Sequence, residues 1–143
     1  MKFYWTKTHF FIKKVFPRYV WSLPNSKKIV YITFDDGPTP KITDFVLSEL
    51  NKFNAKATFF CIGANIKKHP NLFEKILADG HQIGNHTFNH LNGWQTNNED
   101  YLENVLLCEN EIEKISNYQN KLFRAPYGKI RSFQSNFLLK KRL

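Results

Sequence analysis

Lys28-Ile29-Val30-Tyr31-Ile32-Thr33-Phe34-Asp35-Asp36-Gly37-Pro38 is the stretch that decides the fold. From Ile29 to Phe34 it is a near-continuous β-branched and aromatic run, the pattern of a buried strand. It stops at two adjacent acids and a Gly-Pro turn signal. Thr39 and Pro40 suit a helix N-cap and first helical position. Ile42, Phe45, Val46, Leu50 and Phe53 then recur at helical spacing. Strand, polar turn and helix make the first half of a crossover unit.

Moving outward, the same alternation repeats. Ala57 to Ile62 predicts a second buried strand, ended by Gly63. Pro70 to Ala78 predicts a helix that closes at Asp79-Gly80. Gln82 to Asn85 predicts a short third strand entering His86. A long helix is expected over Glu99 to Ser116, with Leu102, Val105, Leu106, Glu109 and Ile112 along it. Leu122-Phe123 reads as a short strand leading into Arg124-Ala125-Pro126-Tyr127-Gly128, and Ser132 to Leu143 reads as a helix. This order implies an α/β fold with parallel strands and crossover helices. Every polar cluster follows a strand, and sites in such folds form at the C-terminal ends of strands.

The length of 143 residues predicts one domain, over residues 27–143, with residues 1–26 as a basic aromatic arm. Eight of the 23 aromatic residues fall in the first 21 positions. That density predicts an arm packed on the domain, and it also suits peripheral contact with an anionic membrane. The net charge of +9 divides into +7 over residues 1–34, −3 over 35–128 and +5 over 129–143. The basicity lies at the two ends while the motifs occupy the mildly acidic middle, which argues against nucleic acid as a partner. Cys61 and Cys108 form no CxxC pair, and Cys61 sits in an apolar run, so a buried free thiol is expected there. Neither a secretory signal nor a transmembrane stretch is visible, so a cytoplasmic or membrane-surface location is the default expectation.

Three segments carry chemistry. Asp35 and Asp36 are costly to crowd together unless a cation or shared proton offsets their repulsion, although Asp-Gly-Pro alone also reads as a solvated turn. His86 and His90 are spaced so that a helix face or a loop lets both imidazoles reach one metal ion. Arg124, in the third segment, suits a partner that holds a carboxylate ionised and oriented. His81, His69 and His9 read as surface, capping or unpartnered residues. Asp-His-His leaves open coordination positions, the pattern of a catalytic metal site, and the second Asp supplies a base. A two-histidine, one-carboxylate set also serves non-haem iron oxygenases, a reading on which Asp35 has no role.

Thr33-Phe34-Asp35-Asp36-Gly37-Pro38, then His86-Thr87-Phe88-Asn89-His90, then Arg124-Ala125-Pro126-Tyr127-Gly128, in that order, resemble the polysaccharide deacetylases of the NodB-homology type, carbohydrate esterase family 4. The resemblance implies a distorted (β/α) barrel and hydrolysis of N-acetyl groups on N-acetylglucosamine polymers such as chitin or peptidoglycan. It implies Asp35 as general base and Asp36, His86 and His90 as ligands of a divalent metal, usually zinc. It further implies that Arg124 orients Asp35 and that the Tyr127 backbone N–H helps hold the oxyanion. Family members carry two later motifs, one with Asp and Trp and one with Leu and a general-acid His. Nothing after Arg131 resembles either, so the barrel is expected to be incomplete and its sheet open at one edge. Three readings follow: an active deacetylase with another acid, a truncated member that is impaired in turnover, and a non-catalytic metal- or glycan-binding protein.

Overall fold

The computed structural model describes residues 8–23, 29–116 and 122–141. The chain divides into two compact units, Met1–Val30 and Tyr31–Leu143. In the first, α1 (Phe10–Val15) is a short helix with no buried residue. His9, expected to lack a partner, caps it: Nδ1 accepts the Phe11 N–H at 3.4 Å. Phe16 stacks on Tyr19 at 5.6 Å between ring centroids, and the Trp21 indole donates to the Phe16 carbonyl at 2.8 Å.

The second unit is an α/β body. Its elements are β1 (Ile32–Asp35), α2 (Ile42–Lys52), β2 (Ala57–Cys61), α3 (Gly63–Lys68), α4 (Pro70–Ala78), β3 (Gln82–Asn85), α5 (Asn98–Ile115) and α6 (Ser132–Lys141). A 3-10 turn spans Pro126–Gly128. The sheet is parallel in the order β1-β2-β3, with Asp35 beside Phe60 and Phe60 beside Gly84. Among the described residues it does not close into a barrel, and β1 forms an open edge. The parallel sheet is what the alternation implied, and its incomplete (β/α) form is what the family resemblance implied. The expected strand at Leu122-Phe123 is a single parallel bridge from Phe123 to Asn85.

The apolar core lies on one face of the sheet. Leu47 and Leu50 of α2, Ile66 of α3, Phe73 and Ile76 of α4, and Cys108 and Ile112 of α5 pack with Phe59, Cys61 and Ile83. A smaller cluster joins Tyr101, Leu102 and Val105 of α5 to Leu138 of α6. α5 is capped as its sequence demands, with the Asn97 side chain accepting the Asp100 N–H and two acids in the positive first turn. No helix among the described residues is long and apolar enough to cross a membrane.

Five expectations need correction. The first strand begins at Ile32 and is exposed, because only β2 flanks it; Lys28 lies outside the described residues, as do Arg142 and Leu143 of the last helix. The next helix starts at Ile42, since Lys41 adopts φ +68° and interrupts the turn begun at Thr39. Its inward face is Thr43, Leu47 and Leu50, leaving Ile42, Phe45 and Phe53 exposed. On α5, Leu106 is exposed while Tyr101 and Cys108 turn inward. His81 is buried rather than superficial, its Nδ1 accepting the Ala57 N–H at 3.3 Å. Cys61 is a buried free thiol as expected, and Cys108 is also free. α3 has no counterpart in the sequence reading, its six residues being too short for a periodic signal.

Candidate metal centre and active site

The site forms where the chain leaves β1 and β3. Asp35 ends β1, and regular alternation would point Asp36 to the opposite face. Instead Asp36 adopts φ +69°, which departs from the strand path. Two contacts hold this turn: Asn65 donates from Nδ2 to the Asp36 carbonyl at 2.8 Å, and Ile62 N–H donates to the Gly37 carbonyl at 2.9 Å. The Gly37–Pro38 peptide is cis and Pro38 is buried.

His86 and His90 are brought together by a loop rather than a helix. Thr87 and His90 both have positive φ, +64° and +56°. Such backbone persists only where its surroundings over-determine it. Here the Thr87 and Phe88 carbonyls accept from Gly63 and Ala64 at the start of α3. Asn104 of α5 accepts the Phe88 and Asn89 N–H groups on its side-chain oxygen, each at 2.9 Å. Buried Asn85 accepts the Thr87 N–H and donates to Val105 O and Glu109 Oε2. Buried Thr87 accepts the Leu91 N–H on its hydroxyl.

These turns bring three ligand atoms together. Asp36, His86 and His90 each offer one donor atom, all within 4.8 Å of one another. His86 Nε2 lies 3.5 Å and His90 Nε2 3.1 Å from Asp36 Oδ1. His86 Nδ1 lies 2.7 Å from the Arg124 carbonyl, an acceptor only, so Nδ1 carries the proton and Nε2 faces the cluster with its lone pair. Burial lowers the His86 pKa, outweighing the Arg124 hydrogen bond and the charges of Asp35 and Asp36, and so favours the neutral ring that a metal ligand must be. His90 Nδ1 lies 3.2 Å from the Tyr127 hydroxyl, and the two rings meet edge-on at 4.6 Å. The donor set therefore suits a divalent metal: two imidazoles and one carboxylate, opening onto solvent at the exposed Asp36.

Arg124 joins the cluster to Asp35. Its Nη1 donates to Asp35 Oδ1 at 2.7 Å and to the Thr33 hydroxyl at 3.0 Å. The guanidinium lies 4.0 Å from the centroid of the Phe60 ring. That ring has room only because residue 84, opposite it on β3, is glycine: a Cβ there would sit 2.3 Å from Phe60 Cδ1. Arg124 is held in place through its backbone, as its N–H donates to the Asn85 carbonyl at 3.0 Å. One residue thus fixes Asp35 with its side chain and His86 with its carbonyl. Tyr127, at φ +58°, is the middle residue of the 3-10 turn, whose early N–H groups have no partner within the turn.

All six residues singled out from sequence are therefore found at one end of the sheet. Sequence reasoning missed the supports: the Arg124 carbonyl, the Tyr127 hydroxyl, and Asn65, Asn85 and Asn104. Only Asn85, next to His86, had a positional signal.

A model of the polysaccharide deacetylase family matches residues 22–138. The chain belongs to this family. Over 110 residues it is 44% identical to a peptidoglycan-N-acetylglucosamine deacetylase of Bacillus cereus, covering 77% of this chain and 51% of that protein. Over 107 residues it is 38% identical to a chitooligosaccharide deacetylase of Azorhizobium caulinodans, covering 74% of this chain and 51% of the relative. A crystal structure of a peptidoglycan N-acetylglucosamine deacetylase superposes with a TM-score of 0.81 at 36% identity, over 84% of this chain and 56% of that one. The chain thus spans about half the length of these relatives.

Proposed function

We propose that this chain hydrolyses N-acetyl groups from N-acetylglucosamine polymers of the chitin or peptidoglycan kind. The observation that carries this reading is the Asp36–His86–His90 cluster beside an Asp35 held by Arg124. Similarity to deacetylases of peptidoglycan N-acetylglucosamine and of chitooligosaccharides supports the substrate class.

Asp36, His86 and His90 would hold a divalent metal, with zinc the best match to two imidazoles and a carboxylate. A metal in such a site supplies Lewis acidity and brings the pKa of water down to about 7. Asp35 accepts the proton of the attacking water at a carboxylate oxygen. The Arg124 ion pair fixes the orientation of Asp35 until then. As the acetamide carbonyl carbon becomes tetrahedral, the Tyr127 N–H donates to the developing oxyanion, a contact worth about 10²–10³ in rate. Collapse breaks the C–N bond, leaving acetate and an amine that takes a proton. Protonated Asp35 can return its proton to that amine.

The open edge at β1 favours a second reading, in which the chain binds metal or glycan without turnover. Acetate release from an N-acetylglucosamine oligomer by the purified, zinc-loaded protein separates the two. Release that disappears in Asp35→Asn supports the first reading, whereas zinc uptake with no release supports the second.

A further inference from the structure

The indole of Trp94 stands out among the groups that this mechanism leaves unused. It lies four residues beyond His90 and is 59% exposed, yet its loop is fastened at several points. Gly93 N–H donates to the Lys129 carbonyl at 3.1 Å, and Arg131 Nη2 donates to the Trp94 carbonyl at 2.8 Å. The fully buried Gln134 donates to the Gly93 carbonyl at 3.0 Å and accepts the Arg131 N–H at 2.9 Å. The two segments touch at backbone level, since a Cβ on Gly93 would lie 2.6 Å from the Lys129 oxygen. The second of them begins just after Tyr127, whose hydroxyl meets His90. Trp94 is therefore fixed to both strands of chain that border the metal cluster.

The ring itself is fixed too. Its Nε1–H donates to the Ile130 carbonyl at 3.2 Å, which satisfies its one polar group. What remains exposed is apolar π surface, with the Lys129 ammonium 5.4 Å from the ring centroid. Leaving so large an apolar surface in water forfeits the stabilisation that burial would bring, and the Lys129 ammonium lies over the ring without closing it off from solvent. A rigid flat apolar face beside a hydrogen-bonding cation matches a pyranose ring, which has one face of C–H bonds and a rim of hydroxyl and acetamide groups.

We propose that Trp94 is a stacking platform for a sugar ring of an N-acetylated glycan, one that lies beyond the residue reacting at the metal cluster. The proposal rests on the glycan substrate inferred above and adds a binding subsite to it. The test uses the full chain with zinc and an N-acetylglucosamine tetramer, comparing wild type, Trp94→Ala and Trp94→Phe by calorimetry and by acetate release. Trp94→Ala should weaken tetramer binding and raise KM by about tenfold, with zinc affinity unchanged as the sign of an intact fold. Trp94→Phe keeps a ring but loses the anchoring N–H, and should stay within about threefold of wild type. Tetramer affinity in Trp94→Ala within about twofold of wild type overturns the platform, even if acetate release continues. Equal losses in Trp94→Phe and Trp94→Ala also overturn it, because they would make the ring a loop anchor only. A wild type that binds the tetramer through Trp94 yet releases no acetate would uphold the platform and sink the deacetylase reading.

Discussion

β1 and β2 are neighbours in one sheet, and both come from apolar runs, yet they live in different environments. Phe59 and Cys61 of β2 are 2% and 0% exposed, whereas Ile32 of β1 is 36% exposed and Asp35 at its end is open to solvent. The difference is one of neighbours: β2 is paired on both sides and β1 on one. The site inherits this asymmetry. Its carboxylates stand on the exposed edge, where charge stays hydrated and is cheap to keep. Its His86 stands at the buried end of β3, where the neutral imidazole is favoured. A metal site assembled this way draws its anionic ligand from the wet edge and a neutral ligand from the dry interior.

The strongest way to break this comparison is at the dry ligand. His86→Ala should lower zinc affinity by at least about 100-fold, read by competition with a chromogenic chelator. Undiminished affinity would mean that the interior contributes no ligand. At the wet edge, Asp35→Asn should cut acetate release by about 10²–10⁴ while leaving zinc affinity unchanged, because Asp35 is bound to Arg124 and lies outside the ligand set. A parallel loss of zinc in that variant would make Asp35 a ligand. In the paired strand, Phe59→Ala should cost about 3–5 kcal/mol in urea unfolding of the metal-free protein. A smaller effect comes from the second imidazole: Tyr127→Phe removes the hydroxyl beside His90 Nδ1, and zinc affinity should fall by about tenfold.

Most of the element order was legible because strands and helices of this kind advertise themselves by period. β2, α4, β3 and α5 lie within a residue or so of where pattern and caps put them. Lys41 and α3 were not legible. A positive φ at a lysine carries no compositional signal, and a six-residue helix is too short to show a period. At the site, the ligand types were legible from their motifs, but their convergence depends on positive φ at Asp36, Thr87 and His90. Those turns are held by Asn65, Asn85 and Asn104, contacts that cross up to tens of residues of sequence. Burial was the least legible property, because an apolar run specifies a strand without specifying how many neighbours it has.

That last point can be tested on α2, whose sequence carries two competing apolar faces. Phe45 belongs to the face that spacing favoured and is 64% exposed, while Leu47, two residues on, is 2% exposed. Phe45 therefore gains little from folding, because most of its ring keeps its contact with water in the native state. Phe45→Ser should change the urea-unfolding free energy by about 0.5 kcal/mol or less, the range of a surface substitution. It should also raise solubility by removing part of an exposed apolar flank shared with Ile42. A loss of about 2 kcal/mol or more would instead mean that Phe45 is covered in solution. That flank would then be packed against something, and α2 would bury both of its apolar faces rather than one.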